Sequence, residues 1–382
     1  MSEHAKLAPS SAARRVACPG SRALEDQYPE DQESPHAREG HAAHWAASEM
    51  LNAAKSGREL IGSLDNNKAP NGEFITDEMW EGAQLYVDNI MGVYHKIPLM
   101  ARPILHIEER IDISMIHPEC WGTPDCWMYA GNEIYIWDYK YGFGYVNVYE
   151  NWQMIEYAAG ILHELQINGI KDRQTYITFC IVQPRSYNRE GPIRTWRVSA
   201  STLRGYFNIL EAAEYKAAQD NATCHPNPEC NYCLGRHACT ALQQTTLGVI
   251  DMVGSNTPFE LKPNSLGNEL RYLKQAAELL DARITGLEEQ ATAVIRRGER
   301  VPFWKLESSK GREHWSVPKE HVITMGALLG FDLKKPVDVI TPRQAAKAGL
   351  QEEIITTISE RATGALKLVA DDGSNARKVF GG

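Results

Sequence analysis

The chain has 382 residues, eight of them cysteine, and 40 Lys+Arg against 49 Asp+Glu give a formal net charge of −9. At about 150 residues per domain, that length suits two domains or one domain with a large extension. No apolar run reaches the roughly 18 residues of a membrane span, Met1 to Ser10 lack an apolar signal region, and the acidity excludes a wholly basic DNA coater, so a cytoplasmic protein with no membrane partner is expected.

In chain order, residues 9–26 read as a short helix after Pro9 that holds Cys18, followed by a polar loop over 26–38. A helix follows from Glu39 to Ala54, with His41, His44 and Ser48 on one face by the i, i+3, i+4 rule. Residues 56–75 are rich in Gly, Asn and Pro and read as a loop. Thr76 then caps a second helix whose apolar side carries Trp80, Val87, Ile90, Met91 and Tyr94. The segment ILHIEERIDIS alternates apolar and polar residues as a strand does, with Ile104, Ile107 and Ile111 among the apolar positions. A clear strand runs through Ile134-Tyr135-Ile136-Trp137 after a Gly131-Asn132 turn. A helix over 150–168, a strand over 175–183 and a helix over 200–219 complete an α/β core with a mixed sheet.

Beyond the core the chain changes character. From Leu266 to the end there are 18 Lys+Arg and 16 Asp+Glu, which leaves 22 against 33 before it, so the acidity belongs to the first part. Leu266, Leu270, Leu273, Ala277, Leu280, Ile284, Leu287, Ala291 and Val294 alternate spacings of four and three, the pattern of a long heptad helix. Such a helix packs on its own domain, oligomerises, or forms an arm around DNA. A hairpin turning at Ser309–Gly311 follows, then two or three short helices. Around the hairpin Arg296, Arg297, Arg300, Trp304, Lys305, Lys310, Arg312 and Trp315 interleave cations and aromatic rings. That mixture can track a phosphate backbone and stack bases, and equally describes a solvated hairpin with two packed tryptophans.

Two constellations carry chemistry. In the first, Asp138 and Lys140 lie two apart in WDYK and share one strand face, and Asp125 ends a Gly-Thr-Pro-Asp turn 13 residues upstream, a length that suits a hairpin. Two carboxylates and a lysine, with the Tyr139 carbonyl as a further oxygen, form the minimum set for Mg²⁺- or Mn²⁺-assisted phosphodiester hydrolysis. In the second, Cys230, Cys233 and Cys239 place three thiols within one local loop. The fourth ligand is either the nearby Cys224 or the distant Cys18, and zinc and a [4Fe–4S] cluster both accept four thiolates. Cys120, Cys126 and Cys180 read as small core residues.

GTPD, then WDYK, then a helix with Gln153 and Tyr157 resembles the PD-(D/E)XK nuclease superfamily, and looks most like its RecB-type branch. Glu39-Gly40-His41-Ala42-Ala43-His44 is similar to the branch's upstream Gly-Thr-x-x-His helix, with His41 where Thr is usual. The resemblance covers residues 9–245 and implies a restriction-endonuclease-like fold: a central mixed sheet flanked by helices. It also implies that His44 is a metal ligand beside Asp125, Asp138 and Tyr139, and that Gln153 and Tyr157 lie next to the active site. The Cys-x₂-Cys-x₅-Cys spacing together with Cys18-Pro19 resembles the iron–sulfur nucleases of that branch, of the AddB and CRISPR-adaptation type. In that layout Cys18, Cys230, Cys233 and Cys239 hold a [4Fe–4S] cluster and Cys224 is spare. The expectation is therefore a nuclease core over 1–245 and an extension over 246–382. By resemblance the chain is a phage or prophage exonuclease that processes DNA ends beside a single-strand annealing protein. The alternatives are a structure-specific endonuclease and a non-catalytic DNA- or protein-binding module on the same fold.

Overall fold

The computed structural model describes residues 5–28, 34–57, 68–98, 100, 102–186, 188, 190–252, 262–306 and 324. Those up to Pro302 form one compact unit, and the few after it belong to a second. Among the described residues no helix is long and apolar enough to cross a membrane.

The N-terminal segment folds as a 3-10 turn (Pro9–Ser11), α1 (Ala12–Ala17) and α2 (Ser21–Glu25). The single helix expected there is broken at Cys18-Pro19-Gly20, because proline removes a backbone donor and disfavours helix at the residue before it. α3 (Pro35–Lys55) opens on Ser34, whose hydroxyl accepts from the Ala37 N–H, and α4 (Asp77–Lys96) opens on Thr76 in the same way. The expected strand over ILHIEERIDIS is two short strands in different sheets, β1 (His106–Ile107) and β2 (Ile111–Asp112). Glu108 has φ 51°, a left-handed conformation that a non-glycine residue seldom adopts, and it stops the first strand.

β3 (Trp121–Gly122) pairs antiparallel with β2. β4 (Cys126–Ala130) and β5 (Glu133–Tyr139) form the expected hairpin, with Cys126 opposite Trp137. α5 (Trp152–Glu164), capped by the Asn151 side chain, and the short α6 (Ile170–Gln174) lead to β6 (Tyr176–Val182), which lies parallel to β5. β7 (Ile193–Ser199), a strand the sequence reading passed over, closes the sheet antiparallel to β6 and runs directly into α7 (Ala200–Ala217). The result is a five-stranded mixed sheet in the order β1-β4-β5-β6-β7 with helices on both faces, which is the expected fold class.

Period-two alternation sorts the side chains. Ile134, Ile136, Ile177, Phe179 and Ile181 pack with α5 and α7, while Trp137, Tyr139, Cys180 and Val182 pack with α3 and α4. After the sheet come a 3-10 turn (Pro228–Tyr232), α8 (Thr240–Met252) and α9 (Pro263–Arg296). α9 is a C-terminal helix of 34 residues, as the heptad pattern predicts. It packs on the cysteine segment, with Leu279 and Ala282 buried against Cys230, Cys239 and Leu242.

One buried ion network ties the N-terminus to the core. Arg15 donates from Nε to Glu214 Oε2 at 2.5 Å and faces Glu156 Oε2 at 3.4 Å, and all three residues are buried. One guanidinium cannot neutralise two buried carboxylates. Burial, with the neighbouring Glu214 charge opposing ionisation and Arg15 favouring it, raises Glu156 to about 8. The folded protein therefore holds a neutral Glu156 that an unfolded chain would ionise near 4.5. Its stabilising contribution is complete below that value and is lost as pH rises toward 8, at about 1.4 kcal/mol per pH unit at most. Glu156→Gln is expected to flatten this decline, leaving the variant more stable than wild type at pH 8 but not at pH 5. Urea unfolding at the two pH values checks this, and equal wild-type and variant slopes would refute it.

Candidate functional site

The centre of the site follows from the β4–β5 register. Asp125 precedes β4, and its Oδ2 accepts the Tyr139 N–H at 2.6 Å, which holds the turn against the end of β5. Asp138, on the α5 side of β5, is buried, and its Oδ1 accepts from Lys140 Nζ at 3.1 Å and from Gln153 Nε2 at 3.2 Å. Gln153 Oε1 in turn accepts from Lys140 Nζ at 3.1 Å, and Gln153 Nε2 reaches the Tyr157 hydroxyl at 3.4 Å. The i, i+4 spacing on α5 puts Gln153 and Tyr157 on one face, and Gly122 in the Gly-Thr-Pro-Asp turn lets the Tyr157 ring approach. A Cβ there would lie 2.7 Å from the ring.

From the other face of the sheet, α3 presents His44, with Nδ1 3.7 Å from Asp125 Oδ2 and its ring against Tyr139. His41, one turn earlier, is exposed. Glu108 joins the group: one ligand atom each from His44, Glu108 and Asp125 lie within 4.8 Å of one another. The sequence reading missed Glu108, because it sits on the polar phase of an apparently regular alternation. Its left-handed backbone, with its N–H donating to the Asp125 carbonyl at 3.1 Å, places it beside the site.

The electrostatics are those of crowded acids. Burial, followed by the Lys140 cation, lowers His44 to about 4, so its imidazole is neutral at pH 7 with a lone pair free to donate. Burial raises Asp125 to about 6 against the opposing pull of Lys140, and it raises Asp138 as well. Glu108 is exposed as a residue, yet burial of its carboxyl and the charges of Asp125 and Asp138 raise it to about 8. Burial opposes the charge on Lys140, but Asp138 and Asp125 outweigh it and the ammonium persists. Three carboxyl groups thus crowd about one ammonium. Asp138 Oδ2 is buried with no hydrogen-bond partner among the described residues. An unpartnered buried carboxylate oxygen is costly, and a hard cation would satisfy it. The donor set of carboxylates and one neutral imidazole therefore fits a divalent ion.

A second centre lies between the N-terminal turn and the segment after α7. Cys18, Cys224, Cys230, Cys233 and Cys239 line one cavity together with Arg14, His225 and Arg236. Backbone N–H groups point at the sulfurs: His225 to Cys18 at 3.2 Å, Asn227 to Cys230 at 3.4 Å and Leu242 to Cys239 at 3.4 Å. Cys18, Cys230, Cys233 and Cys239 are buried, while Cys224 is partly exposed. Hydrogen bonds from the Cys224 thiol lower Cys18 to about 7 and Cys239 to about 6. The distant Cys18 is therefore brought to the three clustered cysteines. Cys120, Cys126 and Cys180 are buried in the core. Four buried sulfurs around one cavity, with N–H donors aimed at three of them, fit a thiolate-bound metal centre.

Compared with known families, residues 4–373 match the profile described as a protein of unknown function, DUF2800. The chain belongs to the DUF2800 family. Both centres of this DUF2800 chain fall inside the matched span. So do the cationic and aromatic residues of the C-terminal third. Arg296 and Arg297 are exposed at the end of α9, and Trp304 and Lys305 belong to the second unit. Arg312, Trp315 and the predicted hairpin turn lie outside the described residues.

Proposed function

We propose that this chain is a metal-dependent DNA nuclease of the PD-(D/E)XK superfamily with a RecB-type layout, acting as an exonuclease on DNA ends. One observation carries the reading: His44, Glu108 and Asp125 converge within 4.8 Å, next to a buried Asp138 that Lys140 and Gln153 hold from one side only. Asp125, Asp138, His44 and the Tyr139 carbonyl would hold Mg²⁺ or Mn²⁺, and Glu108 adds a carboxylate to the set. The bound ion would polarise a phosphate and lower the pKa of a coordinated water.

The remaining steps belong to the chain's own residues. His44, neutral at pH 7, would offer the ion a lone pair. Lys140 stays charged and, held between Asp138 and Gln153, presents an N–H to the attacking water or to the charge that develops on the phosphate. Gln153 positions that ammonium, and Tyr157 fixes Gln153 in turn. Asp138→Ala and Lys140→Ala are each expected to lower cleavage of linear duplex DNA in Mn²⁺ by about 10²–10³-fold, the usual cost of removing one transition-state contact. Wild-type cleavage by either variant would sink the assignment. Cleavage of circular single-stranded DNA would replace the exonuclease with an endonuclease.

Glu108→Gln isolates the residue that the motifs do not name. Calorimetry should find Mn²⁺ affinity lowered by about 10–100-fold, the range for disturbing a metal shell. Unchanged affinity would leave Glu108 outside that shell.

For the cysteine centre the reading is a [4Fe–4S] cluster on Cys18, Cys230, Cys233 and Cys239, with Cys224 as the spare thiol. The four proposed ligands are buried and the spare is not, which supports that choice. The cluster would join the N-terminal turn to the segment after α7. Protein purified without oxygen is expected to be brown, with iron and sulfide in equal amounts, and Cys18→Ala to bleach it while Cys224→Ala does not. Colourless protein with one zinc per chain would overturn the assignment.

A further inference from the structure

α9 carries two apolar faces, and its own unit covers one of them. Assigning the 4–3 repeat as a heptad puts Leu270, Ala277, Ile284 and Ala291 at a, and Leu266, Leu273, Leu280, Leu287 and Val294 at d. The contacts to the cysteine segment come from elsewhere on the helix. Leu279 and Ala282 are buried against Cys230, Cys239 and Leu242. Gly286 lets α9 approach Arg236 and His237, where an added Cβ would lie 2.7 Å and 3.0 Å away. Glu289 accepts from Arg236. These four are c and f positions, diametrically opposite the a/d seam. Along the seam Leu266, Leu273, Ile284 and Leu287 are 54%, 57%, 52% and 42% exposed.

We infer that this seam is the interface with a second copy of the chain, as a parallel two-stranded coiled coil of α9 with α9. A seam repeating over four heptads is matched by a helix with the same repeat and length. Among the described residues α9 alone has it, so a second copy supplies the partner. The flanking charges agree with a parallel register, in which each g position faces the e position five residues on in the other helix. Glu269 at g then meets Lys274 of the second copy. Arg283, the other charged g residue, is instead held to the inner contact by donating from Nη1 to the Arg236 and His237 carbonyls. With c and f facing inward, the described body of each copy lies on the outer side of the coil. The pairing is independent of the nuclease reading.

Sedimentation velocity on the full chain tests it. The wild type is expected at twice the 42.8 kDa of one chain at micromolar concentration. Leu273→Glu/Leu287→Glu, which alters two exposed side chains, is expected to weaken the dimer by roughly 30-fold or more with an unchanged circular dichroism spectrum. Lys274→Glu should weaken it less, and Glu269→Lys/Lys274→Glu should restore it. A wild type that stays monomeric at tens of micromolar would overturn the inference, as would a dimer indifferent to Leu273→Glu/Leu287→Glu. A swap that fails to restore pairing would overturn the parallel register.

Discussion

The bond from the Tyr139 N–H to Asp125 Oδ2 organises the site, because it joins the turn before β4 to the end of β5 by a backbone group. Side-chain substitution elsewhere leaves such a donor in place. The β4–β5 register then sets every other position. Tyr139 points into the α3–α4 layer and touches His44, whereas Asp138 and Lys140 fall on the opposite face and meet Gln153 from α5. One strand thus collects a histidine from one helical layer and an amide from the other. Burying Asp138 costs about several kcal/mol as an ion, and one partly exposed lysine does not offset three carboxylates. The raised Glu108, Asp125 and Asp138 carboxyls relieve part of the imbalance by holding protons, and a divalent cation would relieve it in their place.

The same arithmetic of charge recurs in the network that ties the N-terminus to the core. Arg15, Glu156 and Glu214 again set acids in excess of bases, the network is buried, and the surplus is removed by protonating Glu156. Its role is mechanical. Arg15 anchors α1 to α5 and α7, and α1 ends at Cys18. The helix that positions Gln153 and Tyr157 is thereby tied to the segment that delivers Cys18 to the other cysteines. The two centres share a support rather than a side chain.

What was legible in the sequence had a local cause. The Thr76 cap, the apolar run into Trp137 and the spacing of Gln153 and Tyr157 are short-range signals, and each element formed where they stand. What was not legible depends on backbone conformation or on distant partners. Glu108 reads as one polar phase of a strand, and only its left-handed φ separates β1 from β2 and aims it at His44. Arg15 is an ordinary surface-type residue until Glu156 and Glu214, more than a hundred positions on, close around it. β7 is hard to read from sequence because the buried Arg194 shares its dry face with Trp196 and Val198, at a sheet edge whose other face stays wet.

α9 shows how a strong periodic signal can be read correctly and still leave the packing unassigned. The repeat foretold a long helix, and the helix is there. The intuitive next step, that the a/d seam is what buries it, does not hold within this unit. The buried positions are the small or polar-flanked c and f sites, among them Ala282 and Gly286, whose contribution is closeness rather than hydrophobic bulk. Small residues carry little weight in a hydrophobic pattern, yet they allow a helix backbone to lie against the Arg236–His237 turn next to the cysteine segment. The bulky residues are thereby left on the far side, in a repeat far longer than an isolated surface leucine would need. A helix built with one face for its own body and another, regularly spaced, face turned outward satisfies two packing demands at once. That division between c and f residues packed inward and bulky a and d residues turned outward lets a single element serve both the cysteine segment and the outer seam.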